Sequence, residues 1–385
     1  MPTFSGAIAN KLPRVGTTIF TIMSKLAMEH NAINLSQGFP DFPCSEELVD
    51  LVNKYMKKGF NQYAPMAGIQ PLREIIAEKT KTLYGTAYDP ETEITITAGA
   101  TQAIFTAISA IIRENDEVII FEPAYDCYEP AITLNGGKTI YFPLKAPDYY
   151  INWDEVKKMI NHRTKMIIIN TPHNPTGTVL SKEDLLQLEE IVKSTDIIIL
   201  SDEVYEHIIF DEQQHQSVAR FPKLAERSFI ISSFGKTFHT TGWKMGYCVA
   251  PKNLMAEFRK VHQFLVFSCN TPVQYALAEF LKTKKNYLEL RNFYQQKRDL
   301  FIEKIKKSRF ILKPSAGTYF QLLSYKNISD EKDTELAKRI TTEFGVASIP
   351  VSAFYHEPEN DCVLRFCFAK TTETIEKAAE ILCRI

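Results

Sequence analysis

The chain has 385 residues, 45% hydrophobic and 24% charged, with a formal net charge of -1. That is the composition of an ordinary folded protein with core enough for two or three domains, or for one large domain and a smaller partner. It excludes a strongly basic binder of nucleic acid or of anionic membranes, and no apolar run approaches the roughly 18 residues of a membrane span.

Seven cysteines are scattered without a C-x-x-C pair, as expected of free thiols in a reducing cytoplasm. The N-terminal stretch MPTFSGAIANKLPRVG has no apolar centre like that of a secretory signal. The eight histidines form no H-x-x-x-H pair, so no dedicated metal site is expected. The expected setting is cytoplasmic, with no nucleic-acid or membrane partner.

The first forty residues carry prolines and little periodicity, and are expected to pack on a smaller domain. From residue 46 short apolar runs alternate with amphipathic stretches. The runs are 94–97, 118–121, 166–170, 197–201, 229–232 and 247–250. Their continuous Ile and Val content predicts strands buried on both faces. Helices are predicted over 72–84, 101–113 and 182–194, the last behind Ser181 as N-cap. This alternation predicts an α/β domain over 46–280, with a mostly parallel sheet sandwiched by helices. Beyond it, helices at 288–307, 333–344 and 374–382 and strands at 319–323 and 363–368 predict a smaller α+β domain. That domain would comprise 281–385 together with 1–45.

Sites in open α/β sheets form beyond the carboxyl ends of the strands. After 94–97 comes AGATQAIF, where small residues Gly99, Ala100 and Thr101 lead into a helix and could cradle an anion. After 118–121 comes EPAYDCY, which places Tyr125 where a ring could stack on a flat ligand. After 166–170 comes TPHNPTG, whose Asn174-Pro175 turn can hold an amide over a cavity. After 197–201 comes SDEVYEH, with Asp202 at a buried strand end and Tyr205 three residues on. After 229–232 comes SSFGKTFHTTGWKMG, with Ser233, Lys236 and Lys244. Lys236 does not end a P-loop, because Ile230 stands where G-x-x-x-x-G-K-[ST] needs glycine. Each group alone has a plainer alternative: a common helix start, a core tyrosine, a surface turn, a helix N-cap, a solvated lysine. Together they suit a flat phosphorylated ligand with a basic ring nitrogen, a phenolic oxygen and a carbonyl that reacts with an amine. Pyridoxal 5'-phosphate has all of these features.

The chain resembles fold-type I aminotransferases of class I/II along nearly its whole length, most of all the methionine and kynurenine aminotransferase branch. The resemblance is carried in family order by NLSQGFPDF, NQYAPMAGIQPLR, AGATQA, EPAYDCYEP, NTPHNPTGTV, SDEVYEH, SSFGKTFHTTGWKMGY and LRFCFAK. It implies that Lys236 bonds covalently to pyridoxal 5'-phosphate and later moves the substrate's Cα proton. It implies that Asp202 pairs with the ring nitrogen, and that Tyr205 and Asn174 bind the phenolic oxygen. Tyr125 would stack on the ring, while Gly99, Ala100, Thr101, Ser233 and Lys244 would form the phosphate cup. Tyr63 would reach the phosphate of a neighbouring subunit, implying a homodimer with shared sites. Arg365 and Gly38 would bind the substrate α-carboxylate, with Asn174 beside it and Phe20 near the side chain. Many relatives have arginine where Lys244 stands, so the phosphate contact lacks a bidentate fork here.

The substrates implied are amino acids and 2-oxo acids, exchanged by ping-pong transfer. No second arginine is assignable for a distal carboxylate. Phe20 and Phe267 therefore suggest a large neutral side chain: methionine, an aromatic residue, or kynurenine or glutamine. A β-lyase acting on cysteine conjugates or cystathionine would share Lys236, Asp202 and Arg365, and stays open as the alternative.

Overall fold

The computed structural model describes residues 2–357 and 361–385. Its centre is a seven-stranded sheet of β1 (Ile94–Thr97), β2 (Glu117–Glu122), β3 (Lys138–Pro143), β4 (Thr164–Asn170), β5 (Ile198–Asp202), β6 (Ser228–Ser233) and β7 (Gly246–Val249). The spatial order is β1-β7-β6-β5-β4-β2-β3. β7 runs antiparallel to both its neighbours, and the other pairings are parallel.

The continuous apolar runs have a direct cause in this sheet. Ile119, Ile167, Ile169 and Ile199 enter one core cluster, whereas Val118, Ile120, Met166, Ile168 and Leu200 enter another. Alternate side chains thus feed two cores on opposite faces, and both faces are closed to water. Each fully buried Ile or Leu contributes about 1.5–3 kcal/mol. β3 lacks such a run and went unpredicted, because it lies at the sheet edge and is half-exposed over most of its length.

The helices follow local signals. α1 (Gln70–Tyr84) ends at Gly85 in the left-handed region. α2 (Ala100–Ile111) follows β1, and α3 (Tyr128–Leu134) follows β2. α4 (Lys182–Val192) starts in a capping box: the Asp184 amide donates to Ser181 Oγ at 3.1 Å, and the Ser181 amide donates to Asp184 Oδ2 at 2.8 Å. α5 (Phe234–Thr237) is a single turn after β6. The stretch predicted as one helix over 288–307 is two, Lys285–Leu288 and Leu290–Ile305. That predicted over 333–344 is α-helical over Asp333–Arg339 and a π-turn over Ile340–Phe344.

A second, antiparallel sheet has the order β9-β10-β8, made of β8 (Phe320–Ser324), β9 (Ile349–Pro350) and β10 (Val363–Cys367). It belongs to a third core that draws Met23 and Leu35 together with Phe301, Tyr319, Phe366 and Leu382. Tyr205, Ile208 and Phe210 also enter this core, so the segment after β5 joins the two sheets.

A buried ion pair pins that segment from below. Lys79 Nζ on α1 donates to Glu206 Oε1 at 2.6 Å and to the Tyr247 hydroxyl of β7 at 2.7 Å. The Tyr84 hydroxyl also donates to Glu206. Burial alone would push the Glu206 carboxyl up, but the Lys79 ammonium and these hydrogen bonds hold it well below the usual carboxylate range. The resulting stability is complete at neutral pH and is lost as pH falls towards the depressed value. Replacing Glu206 with Ala strands the Lys79 charge and is expected to cost about 3–5 kcal/mol. Replacing Glu155, whose pair with Lys158 is exposed, is expected to leave stability almost unchanged. Denaturant midpoints of the two variants check this; equal shifts would refute it.

Candidate active site

At the carboxyl ends of β1, β4, β5 and β6 lies a cavity of about 140 Å³. Gly99, Ala100, Thr101, Tyr125, Asn174, Asp202, Tyr205, Ser233, Lys236 and Lys244 all line it. A larger cleft of about 600 Å³ opens between residues 146–151 and 311–316, but no candidate site residue lines it.

The anion end of the cavity is the start of α2. Its first N–H groups have no partner within the helix and face outward. Gly99 stands there at φ 80°, a conformation that disfavours any residue with a Cβ. A Cβ at this position would also sit 3.6 Å from Lys244 Nζ, so backbone and ammonium converge on one spot. Lys244 follows a 3-10 turn, at φ 52°. The Thr101 hydroxyl lies 3.4 Å from that of Tyr125.

Lys236 sits on α5, capped by Ser233, whose Oγ accepts from the Lys236 amide at 3.4 Å. Its Nζ donates to the Gly38 carbonyl at 3.1 Å and to the Tyr319 hydroxyl at 2.9 Å. Tyr319 in turn donates to the same Gly38 carbonyl at 2.5 Å. Burial brings the Lys236 amine down to about 8; nearby Arg365 and Lys244 act in the same direction, while Cys367 and Asp202 oppose.

Asp202 ends β5 and is only 3% exposed. It caps no helix: a turn follows it. Oδ2 accepts from the Tyr128 hydroxyl at 2.7 Å and Oδ1 from the Val204 amide at 3.3 Å. Burial pushes its carboxyl up to about 6, with those two hydrogen bonds and Lys236 pulling the other way. Tyr205 is buried edge-on to Tyr319 at 5.1 Å, and burial raises its phenol far above the ordinary value.

Asn174 is held by the strand end beneath it. Its amide donates to Asn170 Oδ1 at 2.8 Å, and Asn170 Nδ2 donates to the Asp202 carbonyl at 2.9 Å. From β10 comes Arg365, 1% exposed, with its guanidinium 3.9 Å from the Phe320 ring centre and 5.3 Å from that of Phe20. Its Nη1 donates to Asn174 Oδ1 at 2.8 Å and its Nη2 to the Ser36 carbonyl at 2.9 Å. Its Nε is buried with no hydrogen-bond partner among the described residues. Burial lowers the guanidinium to about 10.

Two candidates lie elsewhere. Tyr63 is 81% exposed, and its ring meets Phe267, 44% exposed, edge-on at 5.1 Å. A single chain brings neither into the cavity, so Phe267 does not line the side-chain pocket of its own chain. Two residues in contact with the site were missed: Tyr128 and Tyr319. Tyr128 lay inside EPAYDCY, one helical turn past Tyr125. The sequence marks Tyr319 only as the first residue of a strand.

Fold and family together make this chain an aminotransferase. The chain belongs to the family of class I and II aminotransferases, whose model matches residues 30–382. It is 49% identical to methionine aminotransferase of Escherichia coli (strain K12), over 97% of each chain. It is 34% identical to kynurenine--oxoglutarate transaminase 1 of Mus musculus, again over 97% of each. Among solved structures, YbdL from Escherichia coli, identified as having a methionine aminotransferase function, superimposes with a TM-score of 0.97. The identity there is 48%, over 98% of this chain and all of that one.

The depressed amine is directly measurable. Labelling of Lys236 in the ligand-free protein by an amine-selective reagent should rise with pH about a midpoint near 8, where exposed lysines titrate near about 10.4. Peptide mapping across a pH series checks this; a midpoint at the ordinary lysine value would show that the amine is hydrated.

Proposed function

We propose that this chain is a pyridoxal 5'-phosphate-dependent aminotransferase. It takes the amino group from a large neutral amino acid and passes it to a 2-oxo acid by a ping-pong mechanism. Methionine or an aromatic amino acid is the favoured donor class, with kynurenine and glutamine as further candidates. The observation that carries this reading is the convergence of Lys236, Asp202, Asn174, Tyr205 and the start of α2 on one cavity.

The residues present fit the cofactor group by group. The α2 N–H groups, Thr101, Ser233 and Lys244 suit a phosphate. Tyr125 offers a ring for stacking. Asn174 and Tyr205 offer polar atoms for a phenolic oxygen, and Asp202 offers a carboxylate for a ring nitrogen. When bound, pyridoxal phosphate supplies an aldehyde that condenses with amines and a protonated ring that draws electron density from the substrate's Cα–H bond.

The chain's own groups do the rest. The Lys236 amine, brought down to about 8 and so half-unprotonated near that pH, would anchor the cofactor and later serve as base at Cα. Asp202, kept from water, holds the proton on the ring nitrogen. Arg365 would bind the substrate carboxylate in a planar fork, since Nη1 and Nη2 each give one N–H to the protein and carry a second. That grip fixes the direction of the Cα–H bond relative to Lys236. Phe20 and Phe320 beside Arg365 favour an apolar substrate side chain.

We read the exposed Tyr63–Phe267 pair as a contribution to the site of a second subunit, in a cytoplasmic homodimer. We also take 46–280 as the cofactor-binding domain, and 1–45 with 281–385 as the domain that brings Arg365.

Borohydride reduction of the yellow protein, followed by peptide mapping, should place the cofactor on Lys236; a tag elsewhere, or none, removes the reading. Mixing the holoenzyme with single amino acids should convert the visible absorbance to that of the aminated cofactor, fastest with methionine or aromatic donors. Product that needs a 2-oxo acid acceptor indicates transfer, whereas ammonia and pyruvate without one indicate the β-lyase. Substituting Asp202 with Ala should lower kcat by several orders of magnitude. Arg365→Lys should lower kcat/KM by roughly a hundredfold, the worth of a bidentate charge-assisted pair; wild-type values in either variant would remove that residue's role.

A further inference from the structure

The Asp202 carboxylate has a neighbour that the proposed function leaves without a role. Tyr128 opens α3 directly behind the Tyr125 loop and is buried. Its hydroxyl donates to Asp202 Oδ2 at 2.7 Å, the shorter of the two hydrogen bonds that the carboxylate accepts among the described residues. Its ring stands edge-on to Tyr125 at 5.9 Å. Burial keeps the phenol protonated, well above its ordinary range, so it acts as a fixed donor.

Asp202 has the opposite problem. A carboxylate out of water tends to take up a proton and become neutral. The titratable groups around it are Tyr125, Cys127 and Tyr128 from the β2–α3 side, Glu203 and Tyr205 on its own segment, Lys236 on α5 and Lys244 in the same cavity. Of these, Lys236 is the cation that acts on the carboxylate, and Tyr128 alone donates a side-chain hydrogen bond to it. A donor on one oxygen favours the ionised form and also stops the carboxylate from rotating.

We propose that Tyr128 is a positioning residue whose hydroxyl keeps the Asp202 carboxylate ionised and turned into the cavity. The inference rests on the reading of Asp202 as the partner of the cofactor's ring nitrogen. It assigns no direct contact between Tyr128 and cofactor or substrate.

Tyr128→Phe tests it, because the variant keeps the ring and its contact with Tyr125. In the ligand-free full chain, the titration of Asp202 can be followed by carbon-13 NMR of labelled aspartate carboxyls and assigned by its loss in Asp202→Asn. Loss of the hydroxyl should raise that midpoint by about one pH unit, the size of one hydrogen bond to a charged group. In the reconstituted holoenzyme, Tyr128→Phe should lower kcat by about tenfold while shifting the donor KM less than about twofold. In an Asp202→Asn background the same substitution should have no further effect. An unmoved midpoint, or an equal loss in both backgrounds, overturns the proposal. If the midpoint moves but the wild-type chain takes up no pyridoxal phosphate, the hold of Tyr128 on Asp202 stands and the functional reading falls.

Discussion

Exclusion of water from the Lys236 amine is the constraint on which this structure turns. In water a lysine stays protonated to about pH 10.4 and cannot act as a base. Here the amine touches a backbone carbonyl and a buried phenol, and shares its surroundings with two other cations. Desolvating a charge is costly, and it persists only where the walls are rigid. The walls come from the two-faced sheet: β6 leads straight into α5, while β5 and β4 stand beside it with both faces packed. A loop carrying the same lysine would hydrate.

The same economy explains the acidic motif SDEVYEH. Its three carboxylates have different tasks. Asp202 faces the cavity. Glu203 turns the other way: it accepts from the Ser201 hydroxyl at 2.8 Å and the Val218 amide at 3.1 Å, and lies 2.8 Å from His215 Nε2. Glu206 accepts from Lys79. The chain thus alternates between site and scaffold, and the two scaffold carboxylates anchor the turn that carries Tyr205. Buried carboxylates that each accept hydrogen bonds from fixed donors hold this turn in one conformation.

Arg365 ties the second sheet to this centre. Its guanidinium is stacked over Phe320 and bonded to Asn174 and Ser36. One N–H on each terminal nitrogen is therefore committed to orientation, and each nitrogen keeps a second. Lys244 makes a simpler contribution: a point charge beside backbone N–H groups already aimed at an anion. The α2 backbone sets direction there, so a fork is less needed.

Much of this could be read from the chain alone, for a local reason. A strand buried on both faces must be apolar along its length, so six of the seven strands of the main sheet announced themselves. The groups that follow those strands fall at the sheet edge by connectivity, which is why Asn174, Asp202 and Lys236 were legible as a set. β3 was not, because a strand half-exposed along most of its length needs no continuous apolar run. Nor were the contacts that make the set work. The partners Arg365 and Asn174 are 191 residues apart, Lys236 and Gly38 are 198 apart, and Tyr128 and Asp202 are 74 apart. Such pairings leave no periodicity and no spacing rule in the chain, because they follow from how two sheets and a turn pack. Local pattern determined which residues could reach the site; only the packed structure decided that Tyr128 and Tyr319 stand beside them while Tyr63 and Phe267 point away.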